Sequence, residues 1–209
     1  MEGTDPVNKK FGATLSGGAV LVLALSGCTS SKGATTSAED KLGPWVKQVC
    51  DAVQPQATKI AAATAAIQKE TSDSSPPEQV QKTDTQAFQD ISDAYKSVGA
   101  AVEKAGAPQV EGGATQQKNV VAGFNGLSAS YIDLKKKMGE LSTKDQAKFA
   151  QDLKGFATQL SDLSTRASDV LKQLEAGDVG KAMQQQQSCK AAPPTASSAA
   201  PSASASTAG

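Results

Sequence analysis

The sequence predicts an all-α fold: an antiparallel up-down-up-down four-helix bundle with a short C-terminal return helix and disordered ends. Three observations carry this expectation. Four successive segments place apolar residues at helical intervals, and none alternates with period two for the length of a strand. Proline and glycine clusters separate the segments, which turns the chain back on itself and favours a monomeric bundle over an extended coiled coil or a homodimer. Aromatic residues are only 4% of the chain, with a single Trp and abundant Ala, a balance that suits helices packed through small side chains better than a large sheet core.

The first segment runs from Pro44 to Glu70, with Val46, Val49, Val53, Ile60, Ala63 and Ile67 on one face, Trp45 at its head and an expected kink at Pro55. The second runs from Pro77 to Ala105. Val80, Ala87, Ile91, Ala94, Val98, Ala101 and Ala105 form its stripe, broadened by Phe88, Tyr95 and Val102. Pro76 and Pro77 open it and "GAPQVEGG" ends it. The third carries Val120, Phe124, Leu127, Tyr131, Leu134, Met138 and Leu141. In the fourth, Phe149, Leu153, Phe156, Leu160, Leu163, Ala167, Val170 and Leu174 are spaced alternately by 4 and 3, an unbroken heptad seam. These last two read as a helical hairpin joined at "LSTKD", with Ser142 or Thr143 as the expected cap and Gly177 as the stop.

The ends differ from this body. Lys9 and Lys10 precede "FGATLSGGAVLVLAL", about fifteen mostly apolar residues, shorter than the roughly twenty that span a bilayer and suited to a secretory signal. The acidic Glu2 and Asp5 are unusual there, and a start at Val7 would remove them. Leu25, Ser26, Gly27 and Cys28 follow, and this "LSGC" resembles the lipobox of bacterial lipoproteins. The resemblance implies a diacylglyceryl group on the Cys28 thiol, cleavage before it, and acyl chains such as palmitate holding the protein on the outer face of the cytoplasmic membrane. Residues 1–27 are then a lipoprotein signal peptide, residues 28–41 the lipidated Cys and a flexible tether, residues 42–190 the bundle, and residues 191–209 an Ala/Pro/Ser tail too poor in apolar surface to fold. With its Ala-rich helical body and such a tail, the chain is similar in architecture to small secreted lipoproteins of high-GC Gram-positive bacteria.

Cys50 and Cys189 remain. Exported proteins meet oxidising conditions, so the two are expected to form a disulfide. Bundle topology points the same way, because the start of the first helix and the end of the fourth share one end of the molecule. Cys50 lies inside the first helix, so "GDVGKAMQQQQSCK" must fold back towards it, as a short return helix starting at Asp178.

Chemistry is sparse. The chain has no His, which removes the commonest general base and metal ligand, and no phosphate loop, dinucleotide fingerprint or nucleophile elbow occurs. No metal and no cofactor is expected. Asp90 with Asp93, and Asp162 with Asp169, fall off the apolar stripes and read as solvated faces. Lys135, Lys136 and Lys137 are available to anionic polymer or lipid head groups, yet consecutive residues fan around a helix and these flank the seam. Tyr95, Tyr131 and Trp45 read as core more readily than as a ligand box. With 21 basic and 21 acidic residues, nothing draws the chain to nucleic acid. The expected function is non-enzymatic: a membrane-anchored envelope protein that binds or organises a partner, an envelope protein or a cell-wall polymer. The alternative is a carrier holding a small apolar ligand between the helices.

Overall fold

The computed structural model describes residues 38–70 and 75–190, and every regular element among them is helical. The elements are α1 (Ala38–Glu70), α2 (Pro77–Ala105), α3 (Gly113–Gly139), α4 (Gln146–Leu174), α5 (Gly177–Gln185) and α6 (Gln187–Lys190). The expected signal peptide, Cys28, most of the tether and the tail at 191–209 lie outside the described residues. Helix α1 begins at Ala38, within the stretch read as tether, and runs through both Pro44 and Pro55. The cap of α4 differs from expectation. Asp145, in extended conformation, accepts from the Lys148 N–H at 3.0 Å, so the carboxylate rather than a hydroxyl of Ser142 or Thr143 opens the helix, where it also meets the positive end of the helix dipole.

Helices α1 to α4 pack in chain order, α1 on α2, α2 on α3 and α3 on α4, while α5 and α6 return onto α1. Side chains fix the antiparallel sense. Trp45 Nε1 donates to the Gly106 carbonyl at 2.8 Å, joining the start of α1 to the end of α2. At the opposite end, Gln81 Nε2 donates to the carbonyls of Met138 and Leu141 at 2.9 and 2.8 Å. One continuous apolar core runs through the bundle, from Leu42, Val46 and Val49 past Phe88, Ile91, Phe124 and Leu127 to Phe156 and Leu163.

Side-chain size sets the spacing of the helices. Between α2 and α3, Ser92 Oγ donates to the Ser128 carbonyl at 2.9 Å and lies 2.9 Å from its hydroxyl, and a Cβ added at Gly99 would meet Asn125 Oδ1 at 3.1 Å. Small residues let these backbones approach closely. Gly123 serves α3 and α4 in the same way, since a Cβ there would meet Val170 Cγ2 at 2.5 Å. The α1 and α4 backbones form no comparable interface, and Val53, Ile60 and Ile67 on one, with Leu153, Leu160 and Ala167 on the other, are only partly buried.

The last carbonyls of a helix have no partner within it. Here neighbouring glutamines supply one. Gln81 serves the end of α3, Gln117 Nε2 donates to Val102 and Glu103 at the end of α2, and Gln116 Nε2 donates to Gln173 and Leu174 at the end of α4.

The predicted disulfide is present: Cys50 and Cys189 are bonded, their Cα atoms 5.0 Å apart and 139 residues apart in sequence. Reduction, or Cys50→Ser with Cys189→Ser, is expected to lower unfolding free energy by up to about 5 kcal/mol, read from urea melts with and without reductant. Gly123→Ala should cost about 1–3 kcal/mol in the same assay, because Val170 must move and with it α4.

Candidate functional site

An open groove of about 1090 Å³ runs between α1 and α2. Ala62, Ala63 and Ala66 of α1 and Ala87 of α2 supply its apolar lining. The methyl side chains leave the space that larger residues would fill. Charges of both signs border it: Lys59 and Lys82 against Glu78, Asp90 and Asp93. Asp90 and Asp93, expected on a solvated face, lie there and accept hydrogen bonds from Gln86 and Gln89. Asp162 is exposed, and Asp169 is ion-paired with Lys172 on the surface, as expected for such positions.

The interior holds polar atoms that the reading of apolar positions passed over. Asp84 sits on the α2 seam, four residues after Val80 and three before Ala87, and is only 5% exposed. Its Oδ1 is buried without a hydrogen-bond partner. Burial raises the carboxyl from its ordinary value to about 7, and the negative charge of Glu70 adds to the effect. The signal was present in the spacing, since a 4, 3 step from Val80 to Ala87 passes through position 84. On α1, the buried Gln54 Nε2 and Gln56 Oε1 also lack partners. Gln56 stands on the seam three residues after Val53 and four before Ile60.

Aromatic rings form a ladder across α2, α3 and α4. Tyr95 stacks on Phe124 and on Tyr131, with centroids 6.1 and 5.8 Å apart, and Phe88 lies 6.1 Å from Tyr131 and 6.3 Å from Phe156. Trp45 is elsewhere, bonded to Gly106, so the three polar aromatics do not converge on one box. The lysine run is divided between neighbours. Lys135 Nζ donates to Gln89 Oε1 of α2 at 2.8 Å, Lys137 Nζ donates to Gln159 Oε1 of α4 at 2.7 Å, and Lys136 is exposed. Beside the disulfide, hydrogen bonds from Lys47 and then Ser188 hold Asp51 below the usual carboxylate range.

No group of three or more His, Cys, Asp or Glu among the described residues is arranged to hold a metal ion, and no described helix is long and apolar enough to cross a membrane. The chain matches no family model, no curated protein and no solved structure.

The two tyrosines give a direct test of the ladder. Burial pushes Tyr131 up to about 12 and Tyr95 further in the same direction, with Tyr131 adding to the shift of Tyr95. Packing therefore favours the neutral phenols, and this contribution to stability is present below their unfolded value of about 10 and is lost as pH rises towards 12. In a spectrophotometric titration the native protein should show little phenolate absorbance up to about pH 11, and Phe124→Ala should bring the rise to lower pH.

Proposed function

We propose that the protein is an extracytoplasmic lipoprotein, anchored through acyl chains on Cys28 to the outer face of the cytoplasmic membrane, whose bundle binds an envelope protein and carries out no catalysis. The "LSGC" box, following Lys9, Lys10 and the apolar run, is the observation on which this reading rests. The bonded pair Cys50–Cys189 supports export, because such cross-links persist in oxidising compartments and are rare in the cytosol. The lack of any His supports the non-enzymatic reading.

The fold also bears on where contact occurs. The tether enters α1 at the end that carries the disulfide and the loop after α2, while the groove lies along the second half of α1 and the first half of α2. Its far end is at Glu78, in the first turn of α2, the end expected to face away from the bilayer. Mixed charge at the rim suits a protein segment with small apolar and oppositely charged side chains, whereas a polyanionic wall polymer would meet Glu78, Asp90 and Asp93 unfavourably. Lys135 and Lys137 are engaged with glutamines, which leaves the run little suited to a polymer site.

Mass spectrometry of the native protein should find the lipid on Cys28 as the first residue, and Cys28→Ala should lose membrane retention. A mature wild-type protein without lipid would overturn the anchor. A photo-crosslinking residue at Gln86 should capture a defined partner in living cells, with at least a tenfold loss when Ala66→Arg fills the groove, about 1.4 kcal/mol or more of binding. Equal capture from position 136 would move the contact surface to α3.

A further inference from the structure

The two ends of the bundle are built differently. At one, the disulfide, the Trp45–Gly106 hydrogen bond and α5 with α6 hold α1 against its neighbours, and Leu42, Val46 and Val49 are fully buried. At the other, α1 has no covalent tie. Ile60 and Ile67 are only partly buried there, and of the α1 residues beyond Cys50 only Ala63 is buried. Asp84 points into the interior of this less constrained end from the second turn of α2.

Among the described residues, no cation compensates it. From α1, the charge that acts on Asp84 is Glu70, of like sign, which itself accepts from Gln79 Nε2 at 2.8 Å. On α2, Glu78 and Lys82 line the outer groove instead of the interior. From α3, Lys135 is taken by Gln89 and Lys137 by Gln159, while Tyr131 packs on Phe88. From α4, Lys148 pairs with Asp152 at the surface. A carboxylate formed at position 84 would be buried beside apolar side chains, with Oδ1 unpartnered, and its cheapest relief is to admit water by local opening.

We propose that Asp84 is a proton-operated latch: as the neutral acid it lets the second half of α1 close on α2, and as the carboxylate it releases that half while the disulfide end stays folded. Thr83 and Ala87 flank it in the chain and line the groove, so the latch also sets the separation of the groove walls. The direction of the response follows from the raised folded-state value of about 7 against 3.8 for the free side chain. Between those values the folded form holds more protons than the unfolded one, so stability from this group is complete in acid and is lost as pH rises towards 7.

Hydrogen exchange, corrected for the intrinsic pH dependence of amide chemistry, tests this on the full chain. Between about pH 5 and about pH 8, amides from Ile60 to Glu70 should lose protection at least tenfold, while those around Val49 and Cys50 keep theirs. Asp84→Asn, which keeps the shape and cannot ionise, should abolish the change. Glu70→Gln should retain it with a midpoint at lower pH. The latch is overturned by an unaltered pH response in Asp84→Asn, by equal loss at both ends of α1, or by protection that rises with pH. If Asp84→Asn does not fold, an unmoved midpoint in Glu70→Gln overturns it instead.

Discussion

Cys50 lies well inside α1 and Cys189 in the last short helix, so in the native fold the bond between them goes with a reversal of the chain beyond α4 that lays α5 against α1. That reversal organises much else. It buries Val179 and Ala182 and commits the α1 start and α4 end to one side of the molecule. The core is thin in large side chains, and a cross-link that closes so long a loop restricts the unfolded chain more than any single buried residue stabilises the folded one. The opposite end has packing and hydrogen bonds, among them Gln79 to Glu70 and Gln81 to the carbonyls of Met138 and Leu141, but no disulfide.

Packing itself is graded around the bundle. Ser92, Gly99 and Ser128 bring α2 and α3 into the closest contact, and Gly123 draws α4 onto α3 at one level. On the remaining side, between α1 and α4, the backbones do not approach closely, and the apolar side chains there are only partly buried. The molecule is therefore a tight central pair with an outer helix on each flank. A ladder of Tyr95, Phe124, Tyr131, Phe88 and Phe156 lies across the tight part. The groove lies on the flank where α1 packs on α2, and Thr83 and Ala87 near Asp84 line it.

The helices were legible because periodicity is a local property: the bounds of α2 and the seam of α4 can be read from neighbouring residues alone. The disulfide was legible through topology, since two cysteines and four antiparallel segments leave one arrangement that joins them. Asp84 was not legible to a search for apolar positions, although its place between Val80 and Ala87 marks it as a seam residue of the wrong polarity. Asp145 caps α4 although a serine and a threonine precede it, and only the backbone angles decide which residue caps. The groove and the glutamine bonds at helix ends depend on which residues of different helices stand level. That information is spread over the whole chain, and no spacing within one segment contains it.

The glutamine contacts bear on the setting such a protein would inhabit. The described ion pairs, Lys47–Asp51, Lys148–Asp152, Lys172–Asp169 and Lys181–Asp178, each join residues of a single helix. Most of the polar ties that cross from helix to helix run instead to neutral acceptors, Gln81, Gln116 and Gln117 to carbonyls and Lys135 and Lys137 to glutamine oxygens, while Gln79 donates to the Glu70 carboxylate. Dissolved ions weaken attraction between opposite charges far more than they weaken hydrogen bonds to neutral groups. Helix register in this bundle consequently depends little on attraction between opposite charges, and so little on ionic strength.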